Sequence, residues 1–351
     1  MKILIATGGT GGHIFAGLAI AEEIEHLGAS VIIVGSKFGM EKAIVPGSYK
    51  LRMISQKPLL GKRFMRKVEF PFFLALSLIE SLHIIIREHP NGVIGTGGFG
   101  AFSPVFVSSL LGIPTIITEV DSIPGLTTRI LSKFVKEAWL SFELAKKKLS
   151  GAKVKVAGFP VRKEITVTKK TLKDFGLTPG KPTILVFGGS RGASSINKVF
   201  NKTISLLPRD FQFIWQVGKD KLQSRQVGKN AWITEFIDDM GSAYGNSQLV
   251  VSRAGALTIG ELTAVGLPSI LIPYPYATQN HQLLNARFLE RMGAAKIILD
   301  KDLNPNILAN AIKSVVGNSE LRSQMSQAAK RLGTTGVARR IAKRMIELSK
   351  R

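Results

Sequence analysis

Short apolar runs that end in glycine and lead into helical patterns recur along this chain. Lys2 to Ala6 (KILIA) predicts a buried strand, TGGTGGH (Thr7 to His13) a turn, and Phe15 to Leu27 (FAGLAIAEEIEHL) an amphipathic helix stopped by Gly28. Val31 to Val34 is the next strand, which completes a βαβ unit; repetition of that unit predicts a parallel sheet. The succession returns at Val93-Ile94 followed by GTGGFGAFSP (Gly95 to Pro104), and at Thr115 to Ile117 followed by TEVDSIPG (Thr118 to Gly125). It returns again at Thr183 to Phe187 followed by GGSRGASS (Gly188 to Ser195). Further strands are predicted at Trp215 to Val217, Ala231 to Phe236, Leu249 to Ser252, Ser269 to Pro273 and Lys296 to Leu299. ILIATGGTGGH (from Ile3) and ILVFGGSRGAS (from Ile184) lie about half the chain apart, so the pattern predicts two α/β domains of related design. Gly158 to Lys170 interrupts the periodicity and is the predicted hinge. The tail, Gly336 to Arg351, predicts a basic amphipathic helix with Val337, Ile341, Met345 and Leu348 on its apolar stripe, placed to brace the first domain.

Composition narrows the function classes. The chain has 351 residues, 45% hydrophobic and 21% charged, which suits a folded protein with an ample core. It has no cysteine, which excludes a disulfide scaffold, a thiolate metal site and a cysteine nucleophile. Lys and Arg number 48 against 24 Asp and Glu, and the net charge of +24 attracts nucleic acid, anionic lipid or phosphorylated small molecules. Nucleic acid is the weakest of the three, because aromatics are 7% and no stacking motif or reader module appears. Met1 to Ala6 runs straight into a glycine loop without a secretory signal. The most apolar window, Phe70 to Ile86, is interrupted by Glu80 and His83, so a spanning helix is not expected.

The glycine loops carry the candidate chemistry. A glycine loop between strand and helix brings backbone N–H groups to an anion, and the helix dipole assists. The first loop lacks the Gly-Lys-Ser/Thr ending of a Walker loop, and Ile14 stands where a dinucleotide fingerprint needs its third glycine. His13 lies at the mouth of the following helix. An imidazole there can take a proton from an attacking hydroxyl, although position alone favours a capping or packing histidine. Glu261, one turn into the helix after SRAGALTIGE (Ser252 to Glu261), can accept two hydrogen bonds from a ribose diol or simply favour the helix dipole. Gln279, Asn280, His281 and Gln282 suit neutral sugar hydroxyls, or form a plain helix start. Asp300-Lys301-Asp302 spells an acid-x-acid triplet, but surface capping is the better reading, and no cluster has zinc spacing.

Seven motifs in order carry a resemblance that covers nearly the whole chain: GGTGGH (Gly8 to His13), GTGGFGAFSP, AGFPVR (Ala157 to Arg162), GGSRGA (Gly188 to Ala193), TEFIDDM (Thr234 to Met240), SRAGALTIGE and HQLLNA (His281 to Ala286). On these the chain resembles the MurG family, the bacterial undecaprenyl-diphospho-muramoylpentapeptide N-acetylglucosaminyltransferases. The resemblance implies the glycosyltransferase B fold, two Rossmann-like α/β domains facing each other across a cleft. It implies an acceptor- and membrane-binding domain at 1–160 with tail helix 333–351, and a UDP-GlcNAc-binding domain at 161–332. It implies transfer of GlcNAc to the 4-hydroxyl of the lipid I acceptor in peptidoglycan synthesis, and through it a part in cell shape and division. No cofactor or fixed metal is implied. Substrate contacts would come from Thr10, Gly11, Gly12 and His13 of the first loop, Arg162 at the hinge and Ser190 at phosphate. Ile237 would lie beside uracil, Ala256, Leu257 and Thr258 at the diphosphate and uridine, Glu261 at the ribose and Gln282 at GlcNAc. The general base would be His13, with Glu119 and Asp121 as rivals. Three positions depart from the family pattern: Asp121 stands for Asn, Phe99 for Tyr and His281 for Gln, which leaves Asp121 and His281 as sugar or acceptor contacts.

A lipid-borne acceptor also implies a place at the cytoplasmic face of the inner membrane. Lys42 to Val68 holds eight basic residues and no acid, and the apolar run from Phe70 follows directly. Lys62, Arg63, Phe64, Arg66, Lys67, Phe70, Phe72 and Phe73 are therefore the candidate contacts with an anionic membrane surface, against a solvated basic face beside a core helix. The rival enzyme reading is another UDP-sugar-dependent lipid glycosyltransferase of the same fold.

Overall fold

The computed structural model describes residues 1–58, 64–189, 192–219 and 230–350. The chain forms two compact units, Met1–Arg162 with Gly336–Arg351, and Lys163–Thr335.

The first unit is built on β1 (Lys2–Ala6), β2 (Ser30–Ser36), β3 (Lys50–Ile54), β4 (Gly92–Gly95), β5 (Thr115–Glu119), β6 (Glu137–Leu140) and β7 (Lys153–Val156). All pairs are parallel, in the order β3-β2-β1-β4-β5-β6-β7. The strand order reverses between β1 and β4, the place where doubly wound sheets bind ligands at their carboxyl edge. The crossover helices are α1 (Gly11–His26), α2 (Glu41–Ile44), α3 (Phe64–Glu88), α4 (Phe102–Leu110), α5 (Leu126–Leu131) and α6 (Glu143–Lys146). The second unit repeats the design with β8 (Thr183–Phe187), β9 (Gln212–Gln216), β10 (Ala231–Thr234), β11 (Leu249–Ser252), β12 (Ser269–Leu271) and β13 (Ala295–Ile297), ordered β10-β9-β8-β11-β12-β13. Its helices are α7 (Ser194–Thr203), α8 (Met240–Gly245), α9 (Ala256–Val265), α10 (His281–Arg291), α11 (Pro305–Val316) and α12 (Ser319–Leu332). Here the order reverses between β8 and β11.

The chain ends in α13 (Val337–Ser349), which packs on α1 in the first unit. Val337, Ile341 and Met345 are fully buried there, each contributing about 1.5–3 kcal/mol. Arg344 completes the attachment. Its Nη2 and Nε reach Glu137 Oε1 of β6 at 2.8 and 2.9 Å, while Lys155 of β7 and the Trp139 indole N–H meet the other carboxylate oxygen. Burial raises the Glu137 pKa, but these hydrogen bonds outweigh it and hold the carboxyl below its usual range.

Three strands escape the sequence pattern for physical reasons. β3 (KLRMI) and β7 (KVKV) are the edge strands, and their lysines and arginine blunt an exposed edge while breaking the apolar signal. β6 (EAWL) is short and carries the buried Glu137.

α3 has the length and composition to cross a membrane over Glu69–Glu88, contrary to the interruption read at Glu80 and His83. Its polar side chains explain why it lies on the fold instead. Ser77, Ser81, Ile84, Ile85 and Glu88 are buried at helical spacing, while Phe72, Ile79 and Ile86 on other faces are 67%, 66% and 57% exposed. Glu80 accepts from Lys37, from the Ser55 N–H and from the Ser55 hydroxyl. Glu88 accepts from Lys50 at 2.7 Å and Arg52 at 2.7 Å.

The hydrogen bonds from Lys50 and Arg52 lower the Glu88 pKa to about 2, against the raising effect of burial. A carboxyl depressed in the folded state stabilises above its unfolded pKa, and that contribution is lost as pH falls through the folded value. Wild-type stability should therefore drop between about pH 4.5 and pH 2, and Glu88→Gln should flatten that drop. Urea unfolding across this pH range measures it; an unchanged slope in Glu88→Gln would refute the assignment.

Candidate active site

Two glycine loops meet at the β1/β4 reversal. TGGTGGH leaves β1 and GTGGFG leaves β4, and their backbones touch because glycines stand at the points of contact. A Cβ on Gly98 (φ +73) would overlap the Gly8 carbonyl, one on Gly8 would lie 2.8 Å from Gly100 Cα, and one on Gly100 would lie 2.6 Å from the Thr7 carbonyl oxygen. The contact delivers His13 to a defined place. Its Nδ1 lies 3.0 Å from the Thr96 carbonyl oxygen, and the Thr96 hydroxyl donates back to the His13 carbonyl at 2.9 Å. A carbonyl only accepts, so Nδ1 carries the hydrogen and the neutral ring keeps its basic lone pair on Nε2. The Thr10 side chain does not cap α1, so no N-cap side chain meets the first-turn N–H groups around Gly11, Gly12 and His13.

The other candidates in this unit sit after β5 and at Arg162, the last residue of its first segment. Glu119 is fully buried. One oxygen accepts from the Asp121 N–H at 3.1 Å and the other from the Gly125 N–H at 3.0 Å, with Thr128 adding a side-chain bond. Burial, and then the nearby Asp121 charge, push its pKa up to about 7. Its bonds shape the TEVDSIPG loop from within, and Asp121 stands half-buried beside it. The Arg162 guanidinium lies 4.7 Å from the centre of the Phe15 ring on α1.

In the second unit the candidates follow the carboxyl ends of β8, β10, β11 and β12. Ser190 lies outside the described residues. Gln216 joins two of these loops: its Nε2 donates to the Gly189 carbonyl at 3.1 Å and its Oε1 accepts the Ile237 N–H at 3.0 Å. Ala256, Leu257 and Thr258 form the first turn of α9, whose N-cap, Gly255, brings no capping side chain. Glu261, one turn on, accepts the Tyr244 hydroxyl at 2.9 Å in a buried setting. Gln282 Oε1 accepts the Tyr274 N–H at 2.9 Å, and His281 Nδ1 bonds the Thr278 carbonyl at 2.9 Å. Gln279 and Asn280 both take left-handed backbone (φ +52 and +55), conformations that cost non-glycine residues energy and gather at functional sites.

Several partners gave no signal as single residues. Arg253, 8% exposed, bonds Asp300 Oδ1 at 2.6 Å, the Ser195 hydroxyl at 2.8 Å and the Ile272 carbonyl at 3.1 Å. It thereby ties the loops after β8, β11, β12 and β13. Asp300, weighed from sequence as a surface cap, is the ion-pair partner of this guanidinium. Among the described residues no group of three or more His, Asp or Glu could hold a metal ion.

A search against family models matches residues 3–140 to the glycosyltransferase family 28 N-terminal domain and residues 183–344 to its C-terminal domain. The chain belongs to glycosyltransferase family 28. It is 39% identical over 346 residues to the UDP-N-acetylglucosamine--N-acetylmuramyl-(pentapeptide) pyrophosphoryl-undecaprenol N-acetylglucosamine transferase of Thermodesulfovibrio yellowstonii, covering 95% of this chain and 94% of the relative. The protein of the same name from Acetivibrio thermocellus is 39% identical, covering 97% of this chain and 96% of that one. The crystal structure of Acinetobacter baumannii MurG superposes with a TM-score of 0.78 at 25% identity, covering 99% of both chains. The two parallel α/β sheets are thus the expected fold, and this family 28 chain is a glycosyltransferase.

Gly98→Ala should destabilise the protein by about 2–5 kcal/mol, from left-handed strain plus overlap with Gly8. Gly28→Ala, with φ +81 and nothing within 4 Å, should cost only about 1 kcal/mol. Chemical denaturation of both variants checks the difference. Equal costs would mean that the two loops do not grip each other.

Proposed function

We propose that the chain transfers GlcNAc from UDP-GlcNAc to the 4-hydroxyl of the N-acetylmuramyl sugar on pyrophosphoryl-undecaprenol, the lipid I to lipid II step of peptidoglycan synthesis. The observation that carries this reading is the His13–Thr96 pair at the β1/β4 reversal, in a chain whose relatives bear the name of that reaction. The second unit is the donor domain. The uncapped first turn of α9 (Ala256, Leu257, Thr258) faces the diphosphate, Glu261 takes the ribose hydroxyls, Ile237 lies at the uracil and Ser190 at phosphate. Gln282 and His281 meet the GlcNAc hydroxyls. The first unit is the acceptor domain, with Thr10, Gly11 and Gly12 offering N–H groups.

In the step itself His13 Nε2 takes the proton of the acceptor 4-hydroxyl. That oxygen forms a bond to the anomeric carbon as the carbon–oxygen bond to UDP breaks, so the configuration inverts. UDP leaves with the electron pair, its charge met by N–H groups, a helix dipole and Arg162. The step needs no fixed metal. Asp121 serves as an acceptor contact, and the buried Glu119 holds the loop that carries it.

The protein works as a peripheral protein on an anionic, cytoplasmic membrane surface. Phe72, Ile79 and Ile86 supply the exposed apolar face of α3, whereas Phe70 and Phe73 are half-buried, Phe73 against Phe38 and Lys57. Lys62 and Arg63 lie outside the described residues, as do the side chains of Phe64, Arg66 and Lys67.

His13→Ala should lower turnover by about 100-fold or more while leaving the thermal shift produced by UDP-GlcNAc unchanged. Turnover near wild type would remove His13 as the base, and the absence of a shift with wild type would remove the donor assignment. Replacing both Phe72 and Ile79 by Ser should weaken sedimentation with phosphatidylglycerol vesicles by about tenfold or more. Unchanged binding would place the membrane surface elsewhere.

A further inference from the structure

One buried carboxylate, absent from the sequence reading, has no part in the chemistry above. Glu41, the first residue of α2, is 0% exposed. Its Oε1 accepts the N–H of Gly9 at 3.3 Å and that of Ser36 at 3.2 Å. Glycines make room for it on three sides. A Cβ on Gly35 would lie 2.6 Å from Glu41 Cγ, one on Gly8 would lie 2.8 Å from Oε1, and one on Gly39 would overlap Oε2. Oε2 itself has no hydrogen-bond partner.

Burying a carboxylate with one oxygen unmet costs stability, since the bonds it made to water are not replaced. Filling this space alone would favour an apolar side chain of the same length. What the carboxylate adds is a grip on the first glycine loop. Gly9 sits at φ +92, its N–H held by Glu41 and its Cα facing the Phe99 ring, where a Cβ would come within 3.0 Å. Four residues on is His13, whose ring is fixed from the other side by Thr96. The loop is thus pinned at both ends, by a carboxylate at Gly9 and a carbonyl at His13.

We propose that Glu41 is a positioning residue for the transfer: by accepting the Gly9 N–H it sets the path of the loop into α1 and so the placement of His13. This rests on the reading of His13 as the base. Two variants of nearly the same size separate grip from space-filling. Glu41→Met fills the pocket and accepts nothing, whereas Glu41→Gln keeps an amide oxygen for Gly9. Both are compared with wild type as full-length protein, for GlcNAc transfer from UDP-GlcNAc to lipid I and for amide hydrogen exchange over residues 7–13. Glu41→Met should fold cooperatively yet lose about 100-fold in kcat, with the KM for UDP-GlcNAc little changed. Exchange in the loop should quicken while β1 and β4 stay protected. Glu41→Gln should keep at least about a tenth of the wild-type kcat. Wild-type kcat and loop protection in Glu41→Met, or a loss in Glu41→Gln as deep as in Glu41→Met, would overturn the proposal. If wild type itself transfers no GlcNAc, the functional reading fails, and hydrogen exchange still scores the hold of Glu41 on the loop.

Discussion

The first unit depends on two backbones touching where most folds would place side chains. Gly8, Gly98 and Gly100 let the loops after β1 and β4 close on each other, and only that closeness brings the His13 ring within bonding distance of the Thr96 carbonyl. One bond then fixes the ring's position and its tautomer together. The second unit has the same winding but solves its reversal differently. There a buried guanidinium, Arg253 after β11, gathers Ser195, Ile272 and Asp300 from the segments after three other strands. The first unit fixes the imidazole that we propose as the base, whereas the second ties its carboxyl edge together through a buried ion pair.

Charge follows a related logic. The acids are few, and two of them are buried against more than one base each. Glu88 binds Lys50 and Arg52 and lies 3.7 Å from Lys2; Glu137 binds Arg344 and Lys155. These acids lock α3 and α13 onto the sheet, in a chain whose net charge is +24. The exposed apolar face of α3 is where we propose that this net positive chain meets an anionic lipid interface. The same helix shows how composition misleads: its apolar content suffices for a membrane span, yet buried Ser77, Ser81 and Glu88 tie it to the fold.

Much of this was legible in the sequence because parallel strands are continuous apolar runs and their glycine loops mark the carboxyl edge. Lys2–Ala6 and Thr183–Phe187 could be read to the residue. β3 and β7 could not, because an edge strand protects itself with charge and so resembles a loop. At the site, His13 and Glu261 stood out by place and type. Glu41 and Arg253 did not, because their roles arise from partners distant along the chain: Gly9 lies 32 residues from Glu41, and Asp300 lies 47 from Arg253. A lone Glu at the start of a short helix gives no sign that glycines crowd its side chain on three sides.

The central claim is that the fold holds His13 with a proton on Nδ1 and its basic lone pair on Nε2. Nitrogen-15 NMR of the imidazole, assigned by loss of the signal in His13→Gln, reads this directly at neutral pH. A protonated Nδ1 and a bare Nε2 are the predicted result. A ring carrying its proton on Nε2 would contradict the account, because the Thr96 carbonyl would then not hold the imidazole and no base would face the acceptor hydroxyl.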